Sequence, residues 1–137
     1  MKNILIESRN DTFFTPYVNL NAETGICEMS GESYLEDTNV FYQPIYEWIQ
    51  EYAREIKKPL RFNFRLTYFN TSSSKSLLDL LRIIKTYEEE GGEVEVNWYY
   101  ADDDDDMREE AEDFMIDTDL QMNLIAYEYE EDEDDTY

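Results

Sequence analysis

Histidine is missing from the chain altogether, and cysteine, proline and glycine are scarce: one, three and four residues among 137. Without an imidazole there can be no Ser-His-Asp triad, no Cys-His pair and no histidine metal site. The single Cys27 excludes an internal disulfide framework and suits a reducing compartment. It has no CxxC mate and reads as a small strand residue. The four glycines spell neither GxxxxGKS/T nor GxGxxG, so no recognised loop cradles a nucleotide phosphate. Basic side chains are also few, 11 against 34 acidic ones, for a formal net charge of -23. Such a surface repels nucleic acid and anionic membranes, and favours basic protein surfaces or plain solubility. Long apolar runs are missing too. After Lys2 only Ile4-Leu5-Ile6 is apolar, too short for a signal peptide or a spanning helix. The expectation is a soluble cytoplasmic protein with no cofactor, no nucleic acid and no membrane among its partners.

What is present suits one folded domain. Hydrophobic residues make up 42% of the chain and aromatic residues 15%, enough for a real core at this length. Residues 14–20 and 26–30 read as two short strands around a turn ending at Gly25. Ile45, Trp48, Ile49, Tyr52, Ala53 and Ile56 recur at spacings of three and four, which predicts a helix over 43–57 with Pro44 in its first turn. The period then becomes two. Leu60, Phe62, Phe64, Leu66 and Tyr68 alternate with Arg61, Asn63, Arg65, Thr67 and Phe69, a strand bulky enough to be central. A second helix runs over 73–90 to Gly91-Gly92, and Val94, Val96, Trp98 and Tyr100 restart the period of two. A third helix covers 104–117 and a last strand 121–128. The order β-β-α-β-α-β-α-β implies an α/β fold, a mixed β-sheet with packed helices. The final ten residues hold seven acids, which divides the chain into a domain at 1–128 and an acidic tail at 129–137.

Two stretches invite chemistry. The run Asp102 to Asp106 suggests calcium, but an EF-hand loop counted from Asp102 puts Met107 where glycine is needed and Asp113 where a bidentate glutamate is needed. Acids at the positive end of a helix explain the run better. The other stretch is YFNTSSSK, residues 68–75, where Thr71, Ser72, Ser73 and Ser74 join the central strand to the second helix. Thr71 or Ser72 as N-cap accounts for one hydroxyl, worth about 1 kcal/mol. The rest stand where free N–H groups and the helix dipole favour an anion. A phosphate esterified there would be stabilised, with Lys75 placed to neutralise it.

YFNTSSSKSLLDLL also resembles the regulatory segment of the SiaC-type regulatory phosphoproteins, whose fold is like the STAS domains of anti-sigma-factor antagonists. In those antagonists an Asp-Ser-Ser step ends a strand before a helix and its first serine is phosphorylated; Asn70-Thr71-Ser72 stands in that place. Residues 30–52 and 94–114 resemble the family too. The resemblance implies a STAS-like, non-catalytic switch. A serine/threonine kinase of the anti-sigma-factor type would phosphorylate Thr71, with Ser72 and Ser73 as fallback acceptors and Asn70, Ser74 and Lys75 as neighbours of the phosphate or of the partner. A PP2C-type phosphatase would reverse the modification. The unmodified form would bind and activate a diguanylate cyclase, raising cyclic di-GMP and promoting biofilm. The alternatives are an anti-sigma-factor antagonist controlling transcription, and an acidic metal-binding protein using Asp102 to Asp106.

Overall fold

A period of two in the sequence becomes two opposite faces only in a β-strand. In the computed structural model, which describes residues 1–10 and 14–128, Leu60–Phe69 is such a strand. Leu60, Phe62, Phe64 and Leu66 are buried, while Arg61, Arg65 and Thr67 are exposed. In chain order the strands are β1 (Ile4–Ile6), β2 (Arg9–Asn10), β3 (Phe14–Thr15), β4 (Tyr17–Leu20), β5 (Ile26–Ser33), β6 (Leu60–Phe69), β7 (Val94–Ala101) and β8 (Asn123–Tyr127). The helices are α1 (Thr38–Glu51), α2 (Thr71–Glu89) and α3 (Asp105–Thr118).

Six strands form one sheet in the order β1-β4-β5-β6-β7-β8, with β6 in its interior as expected. β1, β4 and β5 pair antiparallel, and β5 through β8 pair parallel, so the sheet is mixed. All three helices cover one face of it. There Phe62 stacks on Phe64 with ring centres 4.4 Å apart, Phe64 on Trp98 at 5.1 Å, and Trp98 meets Phe114 of α3 at 5.6 Å. Truncating such a buried ring to alanine costs about 3–5 kcal/mol. Gly25, at φ 74°, ends the β4–β5 turn where a Cβ would collide with the Pro59 carbonyl and the Tyr52 hydroxyl. Only glycine fits there.

The elements differ from expectation in places. Ile4–Ile6 is a strand, paired with β4. The expected strand over 14–20 breaks at Pro16, and its first part pairs with Arg9–Asn10 as a separate two-stranded ribbon. The first helix starts at Thr38, capped by Asp37, so Pro44 lies well inside it and not in its first turn. The N–H that Pro44 lacks would have bonded the carbonyl of Val40, a residue 76% exposed where water reaches it. Tyr42, Ile45, Trp48 and Ile49 form the buried stripe of α1. A π-helical turn, Tyr52–Ile56, closes this helix, and Lys57 stops it in the left-handed conformation at φ 57°. The second helix begins at Thr71, ahead of the expected 73. Residues 129–137, expected as an acidic tail, lie outside the described residues.

Because β5, β6 and β7 are parallel and each leads into a helix, the N-termini of α1, α2 and α3 gather along one rim of the sheet. In open α/β sheets this is the rim where ligands and partners are usually met.

Candidate functional site

The rim is built from the end of β6. Phe69 turns inward against Trp98 and Phe114, with ring centres 6.3 and 6.0 Å away. Asn70 follows in extended conformation and uses all its polar groups. Its N–H donates to the Ser33 carbonyl at 3.1 Å, and its carbonyl accepts from the Ser74 N–H at 2.8 Å. Its Oδ1 accepts from the Ser73 N–H at 2.9 Å, and its Nδ2 donates to the Leu35 carbonyl, also at 2.9 Å. Asn70 is therefore the N-cap of α2. That corrects the expectation of Thr71 or Ser72 in this role. An amide does here what a hydroxyl cannot, capping the helix with its oxygen while its nitrogen ties the strand–helix junction to the β5–α1 loop.

With the cap supplied by Asn70, the hydroxyls are sorted by helix geometry. Thr71 and Ser72 are exposed, Ser74 is half-buried and Ser73 is fully buried. The Ser33 hydroxyl donates to Ser73 Oγ at 2.8 Å, and Ser33 lies 2.8 Å from the Tyr42 hydroxyl, which must then donate to it. Burial pushes the Tyr42 phenol well above its ordinary range, and the bond to Ser33 works against that. Tyr42 stays a neutral donor. Ser73, expected as a fallback acceptor of phosphate, is thus sealed beneath the first turn of α2 and out of a kinase's reach in this conformation. Ser33 and Tyr42 were not foreseen as parts of the site. The signal for Ser33 was a polar residue in register with Cys27 and Met29, on the side of β5 that faces the core.

Lys75, expected as a neighbour of the phosphate or of the partner, pairs within its own helix. Its Nζ sits 3.5 Å from Asp79 on an exposed stretch of α2, an ion pair worth little in solvent. What Lys75 does not supply, the helix end does. α1 is capped by Asp37, and α3 by Asp104 with Asp105 and Asp106 in its first turn. α2 is capped by a neutral amide and has no acid in its first turn. Of these three helix N-termini it alone has no carboxylate at its cap or in its first turn, and Thr71 is its first residue.

The aspartate run serves the neighbouring helix. Asp104 Oδ1 accepts the Met107 N–H at 3.1 Å, and the Asp102 N–H donates to the Tyr127 carbonyl at 2.8 Å. Among the described residues no three acidic or thiol side chains converge as a metal site would need. Cys27 is a buried strand residue whose thiol is pushed up to about 12 by burial, unsuited to nucleophilic work. Among the described residues no helix is long and apolar enough to cross a membrane.

Comparison with known proteins agrees with this architecture. Residues 9–127 match the family model described as SiaC family regulatory phosphoprotein. An uncharacterised protein of Pseudomonas aeruginosa (strain UCBPP-PA14) is 27% identical over 114 residues, which is 83% of this chain and 90% of that one. The crystal structure of apo-SiaC from Pseudomonas aeruginosa superposes with a TM-score of 0.82 at 27% identity, covering 92% of this chain and 100% of that one. A crystal structure of the diguanylate cyclase SiaD in complex with its activator SiaC, from the same organism, matches with a TM-score of 0.83 at 26% identity. That match covers 90% of this chain and 99% of the other.

Proposed function

The chain belongs to the SiaC family of regulatory phosphoproteins, and from that premise we propose a non-catalytic partner switch controlled by phosphorylation of Thr71. In this reading the unmodified form binds and activates a diguanylate cyclase, as the similar Pseudomonas protein is described as the activator of SiaD. A serine/threonine kinase of the anti-sigma-factor type adds the phosphate and releases the partner, and a PP2C-type phosphatase restores binding.

The observation that carries the reading is the contrast between two hydroxyls of the same helical turn. Thr71 stands exposed at a helix N-terminus with no carboxylate at its cap or in its first turn, while Ser73, two residues on, is buried and hydrogen-bonded. A phosphoryl group on Thr71 would add about -1.5 to -2 charges beside free N–H groups that stabilise it. Against a net charge of -23 that is a small global change, so long-range repulsion is too weak to account for a sharp switch. The effect is local. A dianion enters a contact that the partner needs close and partly desolvated, and an unpaired buried charge costs several kcal/mol. Binding should therefore weaken at least roughly a hundredfold.

The test is site mapping joined to affinity. Tandem mass spectrometry after kinase treatment should place the phosphate on Thr71, with Ser72 the exposed second choice. Thr71→Ala should lose the label and keep cyclase binding. Phosphate found only outside 71–74, or a phosphorylated chain that binds undiminished, refutes the mechanism.

A further inference from the structure

Among the described residues the helices cover one face of the sheet and leave the other open, and the charge there is unlike that of the rest of the surface. Glu28, Glu32 and Glu95 project from the open face against Arg61 and Arg65, and Arg61 is 3.3 Å from Glu95. The carboxylates of α3 and of the end of α2 lie elsewhere, and Asp102 and Asp103 stand at the rim beside Tyr127. In a chain of net charge -23 this face is close to neutral.

It is also ordered and rich in aromatic rings. Asn63, Asn97 and Asn123 sit side by side on β6, β7 and β8. Asn97 donates to Asn63 at 2.8 Å and to Glu95 at 2.9 Å, and accepts from Asn123 at 2.9 Å. This amide row leaves Asn97 only 6% exposed on a face that no helix covers among the described residues. Above the row, the Arg65 guanidinium lies 4.4 Å from the centre of the Tyr99 ring and 5.2 Å from that of Tyr127. No carboxylate among the described residues pairs with it. Higher still, where β5 and β6 reach the rim, Tyr34 and Tyr68 are 49% and 47% exposed with ring centres 6.1 Å apart. Tyr68 is three residues before Thr71, and Tyr34 adjoins Leu35, whose carbonyl is held by Asn70.

A net charge near zero with exposed tyrosines and a preoriented arginine suits a protein interface better than the strongly acidic remainder of the surface does. We propose that this open face, from the Tyr34–Tyr68 pair down to Arg65, is the surface on which the partner controlled by Thr71 docks. The occupant is a protein segment with an apolar centre ringed by lysine and arginine. Charge complementarity selects it. The face is bounded at the rim by Glu32, Asp102 and Asp103 and surrounded by an acidic molecule, which steers a basic-ringed partner inward. A second copy of this chain, also at -23, is repelled. The inference rests on the reading of Thr71 as the switch and adds where the partner lies: across the sheet, not over the helices.

The experiment measures binding of the purified full-length cyclase from the same organism to four forms of the full chain. These are wild type, the Tyr34→Ser/Tyr68→Ser double variant, Arg65→Ala, and Ile116→Ser on the outer side of α3, where Ile116 is 77% exposed. The double variant and Arg65→Ala should each bind at least roughly tenfold more weakly, with unchanged melting temperatures, and Ile116→Ser should match wild type. Wild-type affinity should fall as sodium chloride rises from about 50 to 300 mM, over which screening of exposed charges steepens. Wild-type binding that survives the tyrosine and arginine substitutions, is lost with Ile116→Ser, or ignores salt overturns the docking surface while leaving the switch intact. No binding by the unmodified wild type overturns the switch reading and this inference with it.

Discussion

Asn70 and Thr71 are adjacent, yet the first is held on every polar atom and the second has no side-chain hydrogen bond among the described residues. Their substitutions should separate cleanly. Asn70→Ala removes a cap worth about 0.5–2 kcal/mol and leaves the buried-side carbonyl of Leu35 without its donor. Thr71→Ala removes an exposed hydroxyl, and should fall within about 0.5 kcal/mol of wild type. Urea titration of both variants checks this; equal losses, or a larger loss for Thr71→Ala, would return the cap to threonine. The strand–helix junction was legible in the sequence, because a strand period ending in a hydroxyl run before a helical period marks one. The roles within it were not. Asn ranks with Ser as a cap, and the bond that favours Asn70 reaches Leu35, 35 residues away in the chain, a contact that local pattern does not encode.

Three elements meet under that junction. Ser33 belongs to β5, Tyr42 to α1 and Ser73 to α2, and their hydroxyls form one buried chain with links of 2.8 Å. A buried donor or acceptor left unsatisfied costs about 1–3 kcal/mol, so Ser73→Ala and Tyr42→Phe should each destabilise. Because both act through Ser33, their effects should not add. A double-mutant cycle by chemical denaturation should give a coupling of about 0.5–3 kcal/mol. Additive losses would mean the chain is three separate contacts and not a brace. The elements it joins were legible to unequal degrees. The strand at 60–69 and the buried stripes of α1 and α2 follow from their periods, since burial on one face imposes them. The start of α1 was missed because Pro44 imitates a first turn, while the signal that governs, Asp37 with its bond from the Asn39 N–H, lies seven residues earlier. β1 was missed because three apolar residues carry no period; it is a strand because β4 offers it an edge.

Over the whole molecule, the charge is large for the size. A chain of this length folds to a radius of gyration of about 14 Å. At about 10 mM salt the screening length is about 30 Å, so every carboxylate feels the others; at physiological salt it is about 8 Å and only neighbours interact. Compaction brings like charges together, so folding works against self-repulsion that salt relieves. The melting temperature should therefore rise by several degrees between about 10 and 300 mM sodium chloride. Deleting residues 131–137 separates charge from packing, since that segment carries acids and little apolar area. If it contributes only charge, the truncated chain should melt slightly higher than the full chain at low salt and match it at high salt. A fall of more than about 5 °C at high salt, on the order of 1 kcal/mol for a domain this size, would mean the segment contributes packing. A melting temperature indifferent to salt would mean that the acids are spread widely enough, away from the near-neutral sheet face, for the fold to carry them without strain.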